Sequence, residues 1–376
     1  MQFIHQLESW PKFNWDHKQI PTLLGVVRNR QGRLMGRMEA LGFSLRAEAM
    51  LETLTMDVIK SSEIEGVILD PKQVRSSVAR RLGMDIAGLG SSDRHVDGVV
   101  EMMLDATQNF KKPLTRKRLF AWHAALFPSG HSGLAKIGVG AWRDDRHGPM
   151  TVVSGPIGRE RVHFQAPEAV RINDEMKRFL DWFETHSDVD PVIVAGIAHL
   201  WFVTIHPFDD GNGRIARAIM DMQLARADGS SQRFYSMSSQ IRKEHAAYYD
   251  ILEKTQKGIG RETMGAGIDI TLWLKWYLEC LDRTLVGTET ILAVVFRKAR
   301  FWERHAESSM NERQRLMANK LLDGFEGKLT SSKWAKITKC SHDTSLRDIL
   351  DLVEKGILQK ETAGGRSTSY IMGNDH

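Results

Sequence analysis

The sequence predicts a mainly α-helical protein, with a β-hairpin inserted near its middle and a small α+β module of the winged helix-turn-helix type at its C-terminus. Three observations carry this expectation. Stretches such as 37–60 and 192–205 are either rich in helix formers or almost continuously apolar. The segment 138–167 is rich in Gly and Pro and holds two short β-like runs around a turn. From about Asn311, three helical patterns are followed by two strand-like runs.

Taken in order, Arg37 to Lys60 is rich in Met, Leu, Ala and Glu, with Gly42 as its only breaker. Pro71 and the Gly88/Gly90 cluster mark loops. A helical pattern runs from Val96 to Phe110. Another follows Pro113, with Thr115 as its cap and Leu119, Phe120, Trp122, Ala125 and Leu126 as its apolar face. Thr151-Val152-Val153 and Arg161-Val162-His163-Phe164 flank the turn-prone Gly155-Pro156-Ile157-Gly158, which reads as a hairpin. Asp190-Pro191 offers an N-cap and an N1 proline to an apolar helix, Val192 to Ile205. That helix runs into His206-Pro207-Phe208-Asp209-Asp210-Gly211-Asn212-Gly213, and a new one runs from near Arg214 through Ala225. More helix is expected over Lys243–Lys257 and Ile268–Arg283. In the last part, Arg313–Phe325, Ser332–Thr338 and His342–Lys355, with Ser341 as N-cap, precede Ile357–Lys360, a Gly364-Gly365 turn and Ser367–Ile371.

Composition excludes several classes. The 376 residues suffice for two or three domains. A net charge of +5, from 52 Lys plus Arg against 47 Asp plus Glu, permits nucleic-acid binding without arguing for it. Cys280 and Cys340 are isolated, against a disulfide framework or a zinc site. Met1 to Trp10 does not read as a signal peptide, and Ala195–Ile205 is too short to span a bilayer. A cytoplasmic protein with no membrane contact is the expectation.

The chemistry sits in His206 to Arg217. Gly211 and Gly213 let the backbone turn tightly and approach a ligand. The following helix start points free N–H groups at that ligand. Arg214 and Arg217, three apart, share a face and complete a polyphosphate cradle. Asp210, an acid beside an anion site, suits a Mg²⁺ ion bridging phosphates. His206, at the end of the preceding helix, suits a general base. Together these describe phosphoryl or nucleotidyl transfer.

The segment resembles the signature of the Fic family, His-x-Phe-x-Asp/Glu-Gly-Asn-Gly-Arg-x-x-Arg, with every fixed position filled. The resemblance covers roughly Val96 to Arg283. It implies a helical Fic core in which His206 deprotonates a target hydroxyl and Phe208 packs the loop. It further implies that Asp210 holds Mg²⁺, that Asn212 and the Gly211 and Gly213 backbone hold the α-phosphate of ATP, and that Arg214 and Arg217 hold the outer phosphates. By the same resemblance the 150–164 hairpin is a flap that pairs with a target segment. Trp142-Arg143 just before it also looks familiar. Arg242, Tyr248 and Tyr249 fall where the family builds its adenine and ribose pocket. Ser61-Ser62-Glu63-Ile64-Glu65-Gly66 resembles the family's inhibitory motif, with Ser61 at its head and Glu65 presented to Arg217 in competition with the γ-phosphate.

The implied organisation is an N-terminal helical extension over 1–95 with the inhibitory motif at 61–66, a catalytic core over 96–285, a connecting helix over 286–310 and a winged-helix-like domain over 311–376. The implied function is transfer of AMP from ATP to a Tyr, Thr or Ser hydroxyl of a target protein, itself included, restrained by Glu65; removal of AMP remains open. Two alternatives stand beside it: phosphate transfer with the nucleotide reversed, and a nucleotide-sensing, DNA-binding transcription regulator. The C-terminal region offers a contact for DNA or protein, and a homodimer is also compatible.

Overall fold

A computed structural model describes residues 2–84, 90–146, 148–155, 159, 161–185, 188–257, 262–263, 267–322, 324–325, 327–361 and 368–373. The chain divides into two compact units, Met1–Thr288 and Glu289–His376. Gly88, Pro156, Ile157, Gly158 and the Gly364-Gly365 turn lie outside the described residues.

The first unit opens with a short strand, β1 (Phe13–Asn14), and two long helices, α1 (Gln19–Glu39) and α2 (Phe43–Ile64). The expected single helix over 37–60 is thus two, because Gly42 takes an extended conformation and starts α2 as its N-cap. Pro71, read as a loop marker, instead opens α3 (Pro71–Arg81). It occupies the first helical position, where a proline loses nothing, and the Asp70 side chain accepts from the Lys72 N–H. The next two helices are α4 (Arg94–Gln108) and α5 (Arg116–Leu126), the latter capped by Thr115 as expected. Two short strands, β2 (His131–Ser132) and β3 (Ala135–Lys136), lead to the hairpin β4 (Thr151–Ser154) and β5 (Arg161–Gln165). This pair is antiparallel, with a register shift between Val152 and Val153.

The centre of the unit is built by α6 (Ile172–Thr185), α7 (Pro191–Ile205) and α8 (Asn212–Asp228). Every residue of α7 from Val192 to Ile205 is buried, as a helix that is apolar on all sides must be. His199 is accommodated there as a structural residue, its Nε2 2.9 Å from the Tyr248 hydroxyl. Burial lowers its pKa to about 3, so it stays neutral.

The helix expected over 243–257 is also divided, into α9 (Met237–Lys243) and α10 (His245–Gln256), because Glu244 leaves helical geometry. Ile268, read as helical, lies in a strand: β7 (Gly267–Asp269) pairs antiparallel with β6 (Glu262–Thr263) and parallel with β1. The helix itself, α11 (Thr271–Arg304), begins three residues later and runs well past Arg283.

The second unit contains α12 (Glu312–Leu322), α13 (Ser331–Thr338), α14 (His342–Glu354) and the antiparallel pair β8 (Leu358–Lys360) and β9 (Tyr370–Met372). Its own core gathers Met317, Leu322, Trp334, Ile349, Leu352 and Tyr370. The three-helix-plus-hairpin pattern read from the sequence is the pattern observed. Among the described residues, no helix is long and apolar enough to cross a membrane.

Candidate active site

The loop from α7 to α8 is held from several sides. His206 ends α7 in a left-handed conformation (φ 52°, ψ 58°), which is costly for a residue with a side chain. Arg143 secures it: its Nε donates to the His206 carbonyl at 2.7 Å and its backbone N–H to the Pro207 carbonyl at 2.9 Å. Phe208 is fully buried and stacks on His123, with ring centroids 4.2 Å apart and planes 9° apart. Burial lowers the His123 pKa to about 4, and a neutral ring accepts from the Gly140 N–H at 3.1 Å. Its Nε2 lies 3.2 Å from the Asp210 carbonyl, so it joins both ends of the loop. Gly138 donates its N–H to Asp209 Oδ2 at 2.8 Å.

Asn212 differs from the expectation. Its Oδ1 accepts from the Phe208 N–H at 3.0 Å and its Nδ2 donates to the Phe208 carbonyl at 2.8 Å. The side chain is therefore engaged in closing the loop. Of the α-phosphate contacts expected here, Asn212 keeps only its single backbone N–H to offer. Gly211 is required where it stands: its φ is +82°, and a Cβ would fall 2.9 Å from the Phe127 ring.

His206 Nδ1 lies 3.2 Å from the Val203 carbonyl. A carbonyl only accepts, so Nδ1 carries the proton and Nε2 is left with a lone pair. Burial lowers this imidazole's pKa to about 4, and it is neutral at physiological pH. Asp210 is more open, 44% exposed at its side chain. Its Oδ2 takes a hydrogen bond from Ser132 and stands 3.8 Å from Arg214.

The two arginines are buried, Arg214 at 3% and Arg217 at 0% side-chain exposure. Arg214 lies over the Phe127 ring at 5.0 Å, and among the described residues its Nε has no hydrogen-bond partner. Burial lowers its pKa, partly offset by Asp210. Arg217 reaches α2: Nε donates to Ser61 Oγ at 2.9 Å and Nη2 to the Ser61 carbonyl at 2.7 Å. Its Nη1 is 2.9 Å from Glu65 Oε1. Burial works most strongly against its charge, but the Glu65 carboxylate together with Tyr248 and Tyr249 outweighs burial and the pKa is raised.

Glu65 lies at the C-terminal end of α2, and its carboxylate rests on the first turn of α8. A Cβ added to Gly213 would fall 2.1 Å from Glu65 Oε1. A carboxylate therefore occupies the place where free N–H groups and the helix dipole favour an anion. His245 Nε2, 3.2 Å from the Ile64 carbonyl, steadies the end of α2.

In front of this arrangement lies a cavity of about 850 Å³. Glu65, His206, Asp209, Gly213, Tyr248 and Tyr249 line it from the helical side, and residues of β4 and β5 from the other. Tyr248 is 2% exposed and bonded to His199, so its ring is mostly core; Tyr249 is 37% exposed. Arg242 is not part of the lining and lies 3.5 Å from Glu63. The structure thus brings together His206, Asp210, Gly211, Asn212, Gly213, Arg214, Arg217, Ser61 and Glu65, with the two tyrosines beside them, and leaves Arg242 apart.

The braces of this loop leave little mark in the sequence. His123, Ser132 and Asp209 carry no local pattern of their own, and Gly138-Val139-Gly140, which begins like a dinucleotide fingerprint, serves to hold Asp209 and His123. Arg143 was visible only as a familiar Trp-Arg pair.

Residues 113–224 match the Fic/DOC family, and residues 3–84 match a domain of unknown function, DUF4172. The chain is similar to the protein adenylyltransferase Fic of Drosophila willistoni, 25% identical over 280 residues that make up 69% of this chain and 48% of that one. It is 34% identical over 113 residues to the protein adenylyltransferase Fic of Culex quinquefasciatus, covering 29% of this chain and 19% of that one. The chain therefore spans about half or less of the length of these relatives. Among solved structures, a Fic family protein from Desulfovibrio desulfuricans G20 is similar at a TM-score of 0.54 and 20% identity, covering 95% of this chain and 96% of that one. A Fic domain containing signaling protein from Bacteroides thetaiotaomicron is similar at 0.50 and 20% identity, covering 75% and 96%. At that identity the likeness concerns the fold, which is the Fic fold.

Proposed function

We propose, from the premise that the chain is a Fic/DOC family protein with an N-terminal DUF4172 domain, that it is a protein adenylyltransferase restrained by its own Glu65. The observation that carries this reading is the Glu65 carboxylate, paired with Arg217 at 2.9 Å and resting over Gly213 at the start of α8. An anion site already filled by an internal anion is what self-restraint requires.

In this reading ATP enters the cavity with its α- and β-phosphates on the backbone N–H groups at the start of α8. Arg214 and Arg217 neutralise the outer phosphates. The Mg²⁺ that this chemistry implies fits Asp210. Its open carboxylate is a hard oxygen donor, and Mg²⁺ is commonly held by one carboxylate together with phosphate oxygens and water. When bound, the ion would neutralise charge on the phosphates. His206 Nε2 takes the proton of a target hydroxyl. The hydroxyl oxygen bonds to the α-phosphorus, the bond to the β-phosphate oxygen breaks, and pyrophosphate leaves. Arg143, through the His206 and Pro207 carbonyls, keeps the imidazole on the cavity side. With Glu65 paired to Arg217, the γ-phosphate loses its anchor and the α-phosphate its in-line geometry.

The test is labelling of proteins in a cell extract by wild type, Glu65→Gly, and Glu65→Gly with His206→Ala. Label from the α-phosphate of ATP that rises in the single variant and vanishes from extract proteins in the double supports the reading. Label from the γ-phosphate would mean phosphate transfer. No label of either kind would favour a nucleotide-sensing regulator acting through residues 311–376.

A further inference from the structure

The hairpin wall of the cavity is held at its root by a segment far away in sequence. Phe3 forms an isolated antiparallel bridge with Lys257, just past α10. Its ring meets Phe164 of β5 edge-on, with centroids 5.1 Å apart and planes at 75°. Phe3, Phe164 and Ala166 make a small buried cluster of their own, against which Met150 and Val152 pack. His5 follows on a single helical turn, Ile4–Gln6, and is also buried. Its Nε2 lies 2.8 Å from the Gln165 carbonyl at the end of β5. A carbonyl only accepts, so Nε2 carries the proton and donates. Burial lowers the pKa of this ring, which keeps it neutral. The segment is itself moored near the start of α6. Arg171 Nη2 donates to the His5 carbonyl at 3.3 Å, and Trp10 Nε1 donates to Glu175 Oε2 at 2.9 Å.

These contacts bear on the chemistry because of what the hairpin faces. Met150, Val152 and Phe164 line the same cavity as His206 and Gly213. On the proposed reading the phosphates of ATP sit on α8, so an acceptor hydroxyl meets His206 Nε2 between that helix and the hairpin. Two strands of four and five residues are marginal alone and depend on what they pack against. Further along, β5 is tied to α10, where Arg161 Nη2 and His163 Nδ1 lie 2.7 and 2.6 Å from the Glu253 carboxylate oxygens. At the root, the tie is Phe3 and His5. Both fall in residues 3–84, as Glu65 does, so one N-terminal domain acts on the cavity from two sides. Nothing in the adenylyl transfer described above uses Phe3 or His5.

We propose that Phe3 and His5 are positioning residues for the acceptor protein: they fix the hairpin wall against which its hydroxyl is brought to His206. The proposal rests on the adenylyltransferase reading of the cavity. It gives the N-terminal domain two separate tasks. Glu65 governs the nucleotide at Gly213, while Phe3 and His5 govern the acceptor through the hairpin. Neither Phe3 nor His5 lines the cavity, so the two tasks are separable by mutation.

The full-length Glu65→Gly protein is the parent, and Phe3→Ala, His5→Leu and His5→Gln are added to it singly. Three quantities are read: hydrogen exchange of the β4 and β5 amides against those of α7 and α8, ATP affinity by calorimetry, and labelling of extract proteins from α-labelled ATP. In Phe3→Ala and His5→Leu, exchange of the hairpin should rise by about tenfold or more, as loss of one buried contact permits, with α7 and α8 unchanged. Labelling of extract proteins should fall by a similar factor at unchanged ATP affinity. His5→Gln, whose amide can donate to the Gln165 carbonyl as Nε2 does, should restore the labelling. If α7 and α8 also open in Phe3→Ala, the two His5 variants decide. Faster hairpin exchange with unchanged labelling overturns the proposal, as does unchanged exchange, or ATP affinity that falls together with labelling. A His5→Gln variant no better than His5→Leu does the same. A parent that labels extract proteins while the variants match it overturns this proposal alone. A parent that labels none overturns the adenylyltransferase reading and the proposal with it.

Discussion

Two helices of this protein begin next to basic residues, and they begin differently. At the start of α14 the Ser341 side chain accepts from the Thr344 N–H, so the helix caps itself. Its charges are dispersed: Arg347 is exposed, and Lys355 donates to the Ser309 carbonyl and to Asp351, each at 2.6 Å. At the start of α8 the N-cap is Gly211, which has no side chain to offer. The Glu65 carboxylate from another element lies over Gly213 on the first turn, and both arginines are buried. Surface charge on a self-capped helix is solvated and weakly directional. Buried charge converging on an uncapped helix end is an anion site, whatever anion fills it.

The largest expected effect lies next to that site. His206→Ala should lower labelling of extract proteins by roughly 10²- to 10⁴-fold, measured from α-labelled ATP in the Glu65→Gly background. Binding of ATP, measured by calorimetry, should change little. A variant labelling at the parent rate would remove His206 from the chemistry.

Glu65→Gly should raise transfer on the order of tenfold or more, since about 1.4 kcal/mol of bias against the competent state is already tenfold. Gly213→Ala sharpens the same comparison. Its Cβ would fall 2.1 Å from Glu65 Oε1, displacing the carboxylate while filling the seat the phosphate needs. It should show no gain. Equal activation by both variants would mean that the space over Gly213 is not the contested one.

Asp210→Ala should raise the Mg²⁺ concentration needed for half-maximal transfer, read from a metal titration; an unchanged titration would place the ion elsewhere. A smaller effect concerns pH. His206 acts only when neutral, and its pKa is lowered to about 4 by burial. The ratio kcat/KM should therefore stay level as pH falls from 8 to 5.5 and decline only on approach to 4. A midpoint near 6.5, the ordinary imidazole value, would show that the ring is solvated.

The smallest effect is expected at α14. The full chain should bind duplex DNA weakly at low salt with α14 in the major groove, and Arg347→Ala should reduce the salt slope by about one. Absence of binding at low salt would leave the second unit as a protein contact.

What was legible in the sequence followed from how local the cause was. His206 to Arg217 is one continuous segment, so its turn, helix start and paired guanidinium groups could be reasoned from spacing. The caps at Thr115, Asp190 and Ser341 were legible for the same reason. Helix α1 was legible only as part of an N-terminal region that reads as helical, without bounds of its own, because Pro21, Gly25, Gly32 and Gly36 punctuate it and its stability comes from packing Ile20, Val27, Leu34 and Met38. Ile268 was misread because its strand is short and pairs with β1 from the opposite end of the unit. The Glu65–Arg217 pair joins distant segments, and only resemblance to a family suggested it. His123 and Ser132 had no such help; tertiary structure alone brings them to the loop.

The bare backbone at Gly213 has one further consequence on the proposed reading. The seat above it admits a single anion, so occupancy is a contest between a tethered carboxylate and a diffusing nucleotide. The tether fixes the carboxylate's effective concentration, while that of ATP follows the cell. The fraction of active enzyme then depends on nucleotide supply, and the length and stiffness of the α2 end set the threshold. Residues that hold this end in place, such as His245 against the Ile64 carbonyl, would shift the threshold without touching the nucleotide.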